Sequence, residues 1–115
     1  MKVFDAHIHF DKYTESDQNQ IIRTLAKKKV EGMITVSMNL LSSKANLRLA
    51  DQHPNIYPAF GYHPEQPLPT DNEVAELLNW IEEHQEKMVA VGEVGLPYYL
   101  RMKEKESSFP DEGYV

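Results

Sequence analysis

Asp5, His7 and His9 occupy alternate positions of the stretch Val3-Phe4-Asp5-Ala6-His7-Ile8-His9-Phe10. Side chains two apart on a strand point to one side, so the pattern predicts a polar face of Asp5, His7 and His9. Phe4, Ala6, Ile8 and Phe10 would line the opposite face. Burying one carboxylate and two imidazoles costs several kcal/mol unless they are paired or bound. A divalent cation offsets that cost. Neutral imidazole is the commonest protein metal ligand, His7 and His9 can reach one ion, and Asp5 can stand behind them as an orienting group. The competing reading of this strand alone is a surface element with a chance polar face.

Two later positions favour the metal. Ile56-Tyr57-Pro58-Ala59-Phe60-Gly61-Tyr62-His63-Pro64 reads as a strand with a polar terminus at His63, although Pro58 cannot donate to a ladder. Met88-Val89-Ala90-Val91-Gly92-Glu93-Val94 is an almost wholly apolar strand until Glu93, close to Gly92 and Gly95. A carboxylate in that position could pair with a Lys or Arg, but flanking glycines let backbone and ion approach closely. His7 and His9, His63 and Glu93 thus stand at the carboxyl ends of three different strands, where ligands bind in parallel α/β folds. The remaining strand, Met33-Ile34-Thr35-Val36-Ser37, offers only Ser37 there.

The elements that must position these groups follow from pattern. Ser16 is a plausible N-cap for a helix running to about Lys29, with Ile21, Ile22, Leu25 and Ala26 as its apolar face and Gly32 as its stop. Lys27, Lys28 and Lys29 are cations at a helix C-terminus. Ser42 or Ser43 opens a second helix carrying Ala45, Leu49 and Ala50, closed by His53-Pro54. Thr70 and Glu73 make a capping box ahead of Val74, Leu77, Leu78 and Ile81, spaced i, i+3, i+4 and i+7. Trp80 is expected to pack on the edge of this helix, and His84 to be exposed. The order βαβαβαβ predicts an α/β fold with a parallel sheet and right-handed crossovers.

Composition bounds the rest. The chain has 115 residues, a net charge of -6 and no cysteine, so a metal must be held by His and carboxylate. No run is long enough to span a membrane, and the first ten residues carry Lys2, Asp5, His7 and His9 in place of an apolar signal core. A soluble, cytoplasmic protein without a membrane partner is expected. The acidic balance argues against broad electrostatic nucleic-acid binding, yet a metal centre supplies local positive charge for a phosphate.

Three motifs together resemble the TatD-type metal-dependent hydrolases of the amidohydrolase superfamily. They are D-x-H-x-H at Asp5-Ala6-His7-Ile8-His9, G-x-H-P at Gly61-Tyr62-His63-Pro64 and G-E-x-G-L at Gly92-Glu93-Val94-Gly95-Leu96. The resemblance covers nearly the whole chain. It implies a (β/α)8 TIM barrel, one or two divalent metal ions (Zn, Mg or Mn) and deoxyribonuclease activity on DNA, typically exonucleolytic. Carried over, His7 and His9 bind one metal, Glu93 bridges to a second, and His63 lies near the substrate phosphate. Where the family commonly has Asp after the G-E-x-G-L run, this chain has Pro97, followed by Tyr98 and Tyr99.

A (β/α)8 barrel needs about 200 or more residues, so residues 1–115 are expected to form its N-terminal half: four βα units without a complete fourth helix. Tyr98, Tyr99 and Arg101 fall in a loop over the site, where they could stack on a base or touch a phosphate. The open sheet, with Ala59, Val89 and Val91 uncovered, is expected to be capped by the later strands or by self-association. Two further readings stand beside the nuclease. One is a metal-dependent hydrolase of another small substrate; the other is a non-catalytic half-barrel used for binding or assembly.

Overall fold

The structure is a computed structural model that describes residues 3–96, so Pro97, Tyr98, Tyr99 and Arg101 lie outside the described residues. Its elements are β1 (Val3–Ile8), α1 (Glu15–Lys27), β2 (Val30–Thr35), α2 (Leu40–Gln52), β3 (Ile56–Phe60), α3 (Asp71–Glu83) and β4 (Ala90–Val91). Two short 3-10 turns, Phe10–Lys12 and Gln85–Lys87, complete them. The four strands pair in chain order, all parallel, which with right-handed crossovers puts the three helices on one side. The expected βαβαβαβ order is the observed one.

Packing explains the boundaries. Phe10, Leu25, Met33 and Ile56 form the buried core, with Ile8, Ile21, Ile22 and Leu49 packed against it. On the other face of the sheet the Phe4 and Tyr57 rings lie 5.8 Å apart over Gly32. Gly32 is therefore a residue inside β2, not the end of α1. A Cβ there would sit 2.7 Å from the Phe4 ring, 2.8 Å from the Asn55 carbonyl and 2.9 Å from the Tyr57 ring. The helix ends earlier, at Lys28, and Lys29 takes the left-handed conformation with φ 56.

The caps also differ from expectation. Thr14, not Ser16, caps α1 by accepting from the Asp17 N–H, and Asn39, not Ser42 or Ser43, caps α2 by accepting from the Ser42 N–H. Ser42 and Ser43 are instead buried in the first turn of α2. The capping box of α3 forms as the sequence predicts, with Glu73 N–H to Thr70 Oγ1 at 3.1 Å and Thr70 N–H to Glu73 Oε1 at 3.3 Å. Of its apolar stripe only Leu77 is buried, while Leu78 is 58% exposed. Trp80 packs edge-on against Phe60 as expected. His84 does not stand free: it stacks on Trp80 and bonds its carbonyl at 2.8 Å, half-buried.

β1 breaks the alternation read from the sequence. Asp5 pairs with Met33 and Ile8 with Thr35, so three residues of β1 advance against two of β2. This bulge turns successive side chains out of strict two-fold register. Asp5, His7 and His9 therefore do not share a face through simple alternation. Ile8 reaches the core, and Phe10 leaves the strand to become fully buried in the following turn.

β3 and β4 are shorter than predicted. Pro58 fits within β3 because its carbonyl accepts from Val89 N–H on the β4 side, where the ladder is just two residues long. Ala59 is not left uncovered: it is 1% exposed, held by the Ser37 hydroxyl on its carbonyl and by Gly92 beside its Cβ. Val89 and Val91 do stay open, at 50% and 55% exposure, with Val94 at 71% beyond them.

Two outcomes follow. Gly32→Ala is expected to destabilise the fold by about 1–3 kcal/mol, the usual cost of forcing volume into a packed site, read from urea unfolding midpoints. The exposed Val89, Val91, Val94 and Leu96 are expected to drive self-association, seen as a sedimentation coefficient that rises with concentration. A concentration-independent monomer would contradict it.

Candidate metal centre

Glu93 is where the sheet delivers its unusual side chains. Its carboxylate is 18% exposed and is faced by three imidazoles: His9 Nε2 lies 3.1 Å from Oε2, and His7 Nε2 and His63 Nε2 lie 3.6 and 3.5 Å from Oε1. The His7 and His9 rings meet edge to face with centroids 5.3 Å apart. One ligand atom from each of His7, His9 and Glu93 can be chosen so that all lie within 4.8 Å of one another.

Backbone bonds bring Glu93 there. Beyond β4 its N–H donates to the Ser37 carbonyl at 3.0 Å, and Ser37 N–H donates to the Gly92 carbonyl at 3.1 Å. The chain after β2 thereby reaches across to the end of β4. Gly61 makes room for this approach: a Cβ there would run into the Glu93 carbonyl oxygen, with Gly92 C at 2.8 Å and Glu93 N at 2.9 Å. Glu93 thus lies in a bend after the strand and not within it. His9 likewise follows β1 as the N-cap of the 3-10 turn, and His63 lies in the loop after β3, its N–H bonded to the Met38 carbonyl at 2.8 Å.

The donor set fits a divalent cation. Two ligand atoms on a tetrahedral ion with bonds of about 2.1 Å lie about 3.4 Å apart, and the His9 and His7 contacts to Glu93 bracket that value. Glu93 Oε2 and His9 Nδ1 are buried and have no hydrogen-bond partner among the described residues. Polar atoms left without a hydrogen bond in such a cluster are costly unless a cation or a neighbouring group compensates them.

His63 differs from its neighbours. Its Nδ1 accepts the Glu65 N–H at 3.0 Å, so in the neutral ring the hydrogen resides on Nε2. That nitrogen donates, and it points at the Glu93 carboxylate. Asp5 also has a different role from the expected one: its carboxylate accepts the His7 backbone N–H at 3.0 Å and touches neither imidazole through a hydrogen bond. The bulge frees that N–H from the ladder, and Asp5 satisfies it.

Sequence reasoning passed over two groups. Lys12 and Tyr13 join His7, His9 and Met38 around a cleft of about 530 Å³ beside the imidazoles. A signal existed, since Lys12 stands one turn beyond His9. On the other side of Glu93 lies a cleft of about 490 Å³, apolar, between Leu77 and Leu78 of α3 and Val91 and Val94.

Four parallel strands with helices between them, carrying polar groups at their carboxyl ends, define the N-terminal half of a (β/α)8 barrel. The sequence matches the family TatD related DNase over residues 4–110, and the chain belongs to that family. It is 48% identical over 100 residues to an uncharacterized metal-dependent hydrolase of Haemophilus influenzae, covering 86% of this chain and 39% of that protein. It is 32% identical over 91 residues to the 3'-5' ssDNA/RNA exonuclease TatD of Erwinia tasmaniensis, covering 78% of this chain and 35% of that protein. Among solved structures, YJJV, a TatD homolog from Escherichia coli, superposes with a TM-score of 0.74 at 28% identity, covering 88% of this chain and 42% of that one. The chain thus spans about two fifths of the length of these relatives.

Gly61→Ala should displace Glu93 from the imidazoles. Zn2+ affinity, measured by calorimetry, is expected to fall at least tenfold, whereas an unchanged affinity would mean that Glu93 is placed by something other than this close approach.

Proposed function

We propose that His7, His9 and Glu93 are ligands of one or two divalent cations, and that the chain supplies the metal-binding part of a phosphodiester hydrolase acting on DNA. The observation that carries the reading is the convergence of these three groups within 4.8 Å around a carboxylate with an unsatisfied buried oxygen. A cation held there supplies Lewis-acid chemistry and positive charge for a phosphodiester. Glu93 presents two oxygens to the centre, which suits a bridging role. His63 would offer its Nε2–H to a phosphate oxygen, and Lys12 on the cleft wall would offer a cationic contact. No side-chain nucleophile is required. Tyr98, Tyr99 and Arg101, outside the described residues, are proposed as base and phosphate contacts on their residue types alone.

Three protein ligands leave one to three positions of a tetrahedral or octahedral shell to water or to later segments of the barrel. Zn2+ binding to the 115-residue chain is therefore expected to be weaker than about 50 nM, the affinity equivalent of the about 10 kcal/mol at the low end for four-ligand structural sites. Calorimetry checks this. Tight binding abolished by His9→Ala would show a more complete site.

The function is tested by a substrate panel with Mn2+, Mg2+ or Zn2+: labelled single-stranded DNA, RNA, and small amide, lactone and phosphate esters. Hydrolysis is expected to be weak for the chain alone and to rise when a polypeptide supplying the later strands is added. It should be abolished by chelation and reduced at least a hundredfold by Glu93→Gln. Hydrolysis of an amide or lactone without DNA cleavage would replace the nuclease reading, and metal-independent cleavage would overturn it.

A further inference from the structure

Asn46, on the sheet-facing side of α2, is fully buried and bonded on every side. Its Oδ1 accepts from the Thr35 hydroxyl at 2.7 Å. Its Nδ2 reaches the Ser37 hydroxyl at 3.0 Å, the Val36 carbonyl at 3.1 Å and Asp11 Oδ1 at 3.3 Å. An apolar residue would fill this space without a network to satisfy. An amide earns its place here only through what its bonds hold.

Two of those bonds lead to His9. Thr35 Oγ1 also accepts the Phe10 N–H at 3.0 Å, at the residue directly after His9. Asp11 belongs to the turn that His9 caps, and its second oxygen accepts from the Ser42 hydroxyl at 2.8 Å. The third leads to Glu93. Ser37, besides bonding Asn46, donates its hydroxyl to the Ala59 carbonyl at 2.7 Å and holds the Gly92–Glu93 bend through both of its backbone groups. His9 and Glu93 come from opposite ends of the sheet order, and Asn46 bonds directly to the residues that hold each.

We propose that Asn46 is a positioning residue of the metal centre, fixing the His9 turn through Thr35 and Asp11 and the Glu93 bend through Ser37, so that the two ligands keep one spacing. This rests on the metal reading above. The network acts as a unit, because among the described residues the hydrogen bonds that join the Thr35 and Ser37 side chains run through this one amide. Loss of either partner frees the other, and the two losses are then not independent.

The test uses the 115-residue chain with Thr35→Val, Ser37→Ala, their double variant and Asn46→Ala, and with Gly32→Ala as a purely structural control. Zn2+ calorimetry, the visible spectrum of bound Co2+ and thermal melting are measured on each. So are the ring resonances of His9 in the metal-free chain, with His84 as reference. Thr35→Val and Ser37→Ala are expected each to weaken Zn2+ at least fivefold, the pair to fall short of the product of the two by at least threefold, and the Co2+ spectrum to change. Gly32→Ala should lower the melting temperature with Zn2+ affinity held within twofold. Ser37→Ala removes only the hydroxyl, which bonds Asn46 and the Ala59 carbonyl and neither ligand, and should still shift the His9 resonances. If Asn46→Ala fails to fold, the Thr35 and Ser37 cycle decides alone. Variants that melt earlier but keep Zn2+ affinity within twofold and leave the His9 resonances unmoved would overturn the proposal. A parent chain that takes up neither Zn2+ nor Co2+ would remove the metal reading, and the His9 shift in Ser37→Ala would then decide the positioning alone.

Discussion

A half-buried carboxylate surrounded by three ring nitrogens within 3.6 Å sets the terms for this structure. Glu93 Oε2 lies 3.1 Å from His9 Nε2, in ion-pair contact, and the backbone must keep it there. It is held from behind, by the paired bonds to Ser37 and by the empty volume of Gly61. Each such backbone bond contributes about 0.5–1.5 kcal/mol net, enough to bias a bend but not to bury an uncompensated charge several times over. The three imidazoles stand where that compensation is needed, and a cation held among them would complete it.

The same constraint explains the irregular first strand. A straight β1 would send His7 and His9 to the side dictated by alternation alone. The bulge between Asp5 and Ile8 changes that direction and leaves one N–H without a ladder partner, which the Asp5 carboxylate accepts. Asp5 thus serves the site through the backbone of His7. Ile8 and Phe10 meanwhile reach the core, so one short stretch anchors itself in apolar packing and offers its imidazoles to Glu93.

Much of this was legible in the sequence, and the failures share a cause. Residue type and spacing pointed to His7, His9, His63 and Glu93, and to the parallel order of the strands, because apolar periodicity and the Thr70–Glu73 capping box are local signals. What local signals cannot carry is competition from afar. Ser16, Ser42 and Ser43 look like caps, but Thr14 and Asn39 cap the helices and Ser42 is engaged by Asp11. Gly32 looks like a helix stop, but two rings from neighbouring strands need its missing Cβ. Asn46 gave no signal at all: a lone amide in a helix is usually solvated, and only the fold brings Thr35, Ser37 and Asp11 around it.

Stability and chemistry are unevenly shared along the sheet. The buried cluster draws on α1, β2, β3 and the turn after β1, with Ile8 of β1 and Leu49 and Ala50 of α2 packed against it, whereas the β4 corner depends on the Phe60–Trp80 contact and Leu77, with Val91 and Val94 open. Glu93 therefore follows the shortest strand of the described residues, with Val91 and Val94 open beside it, while His7 and His9 flank Ile8 in a stretch that Ile8 and the buried Phe10 anchor to the core. A cation shared by both would tie the end of β4 to the end of β1, and its binding free energy would add to the order of that corner in proportion to occupancy. With such a cation, metal affinity and the local stability of that corner would rise and fall together.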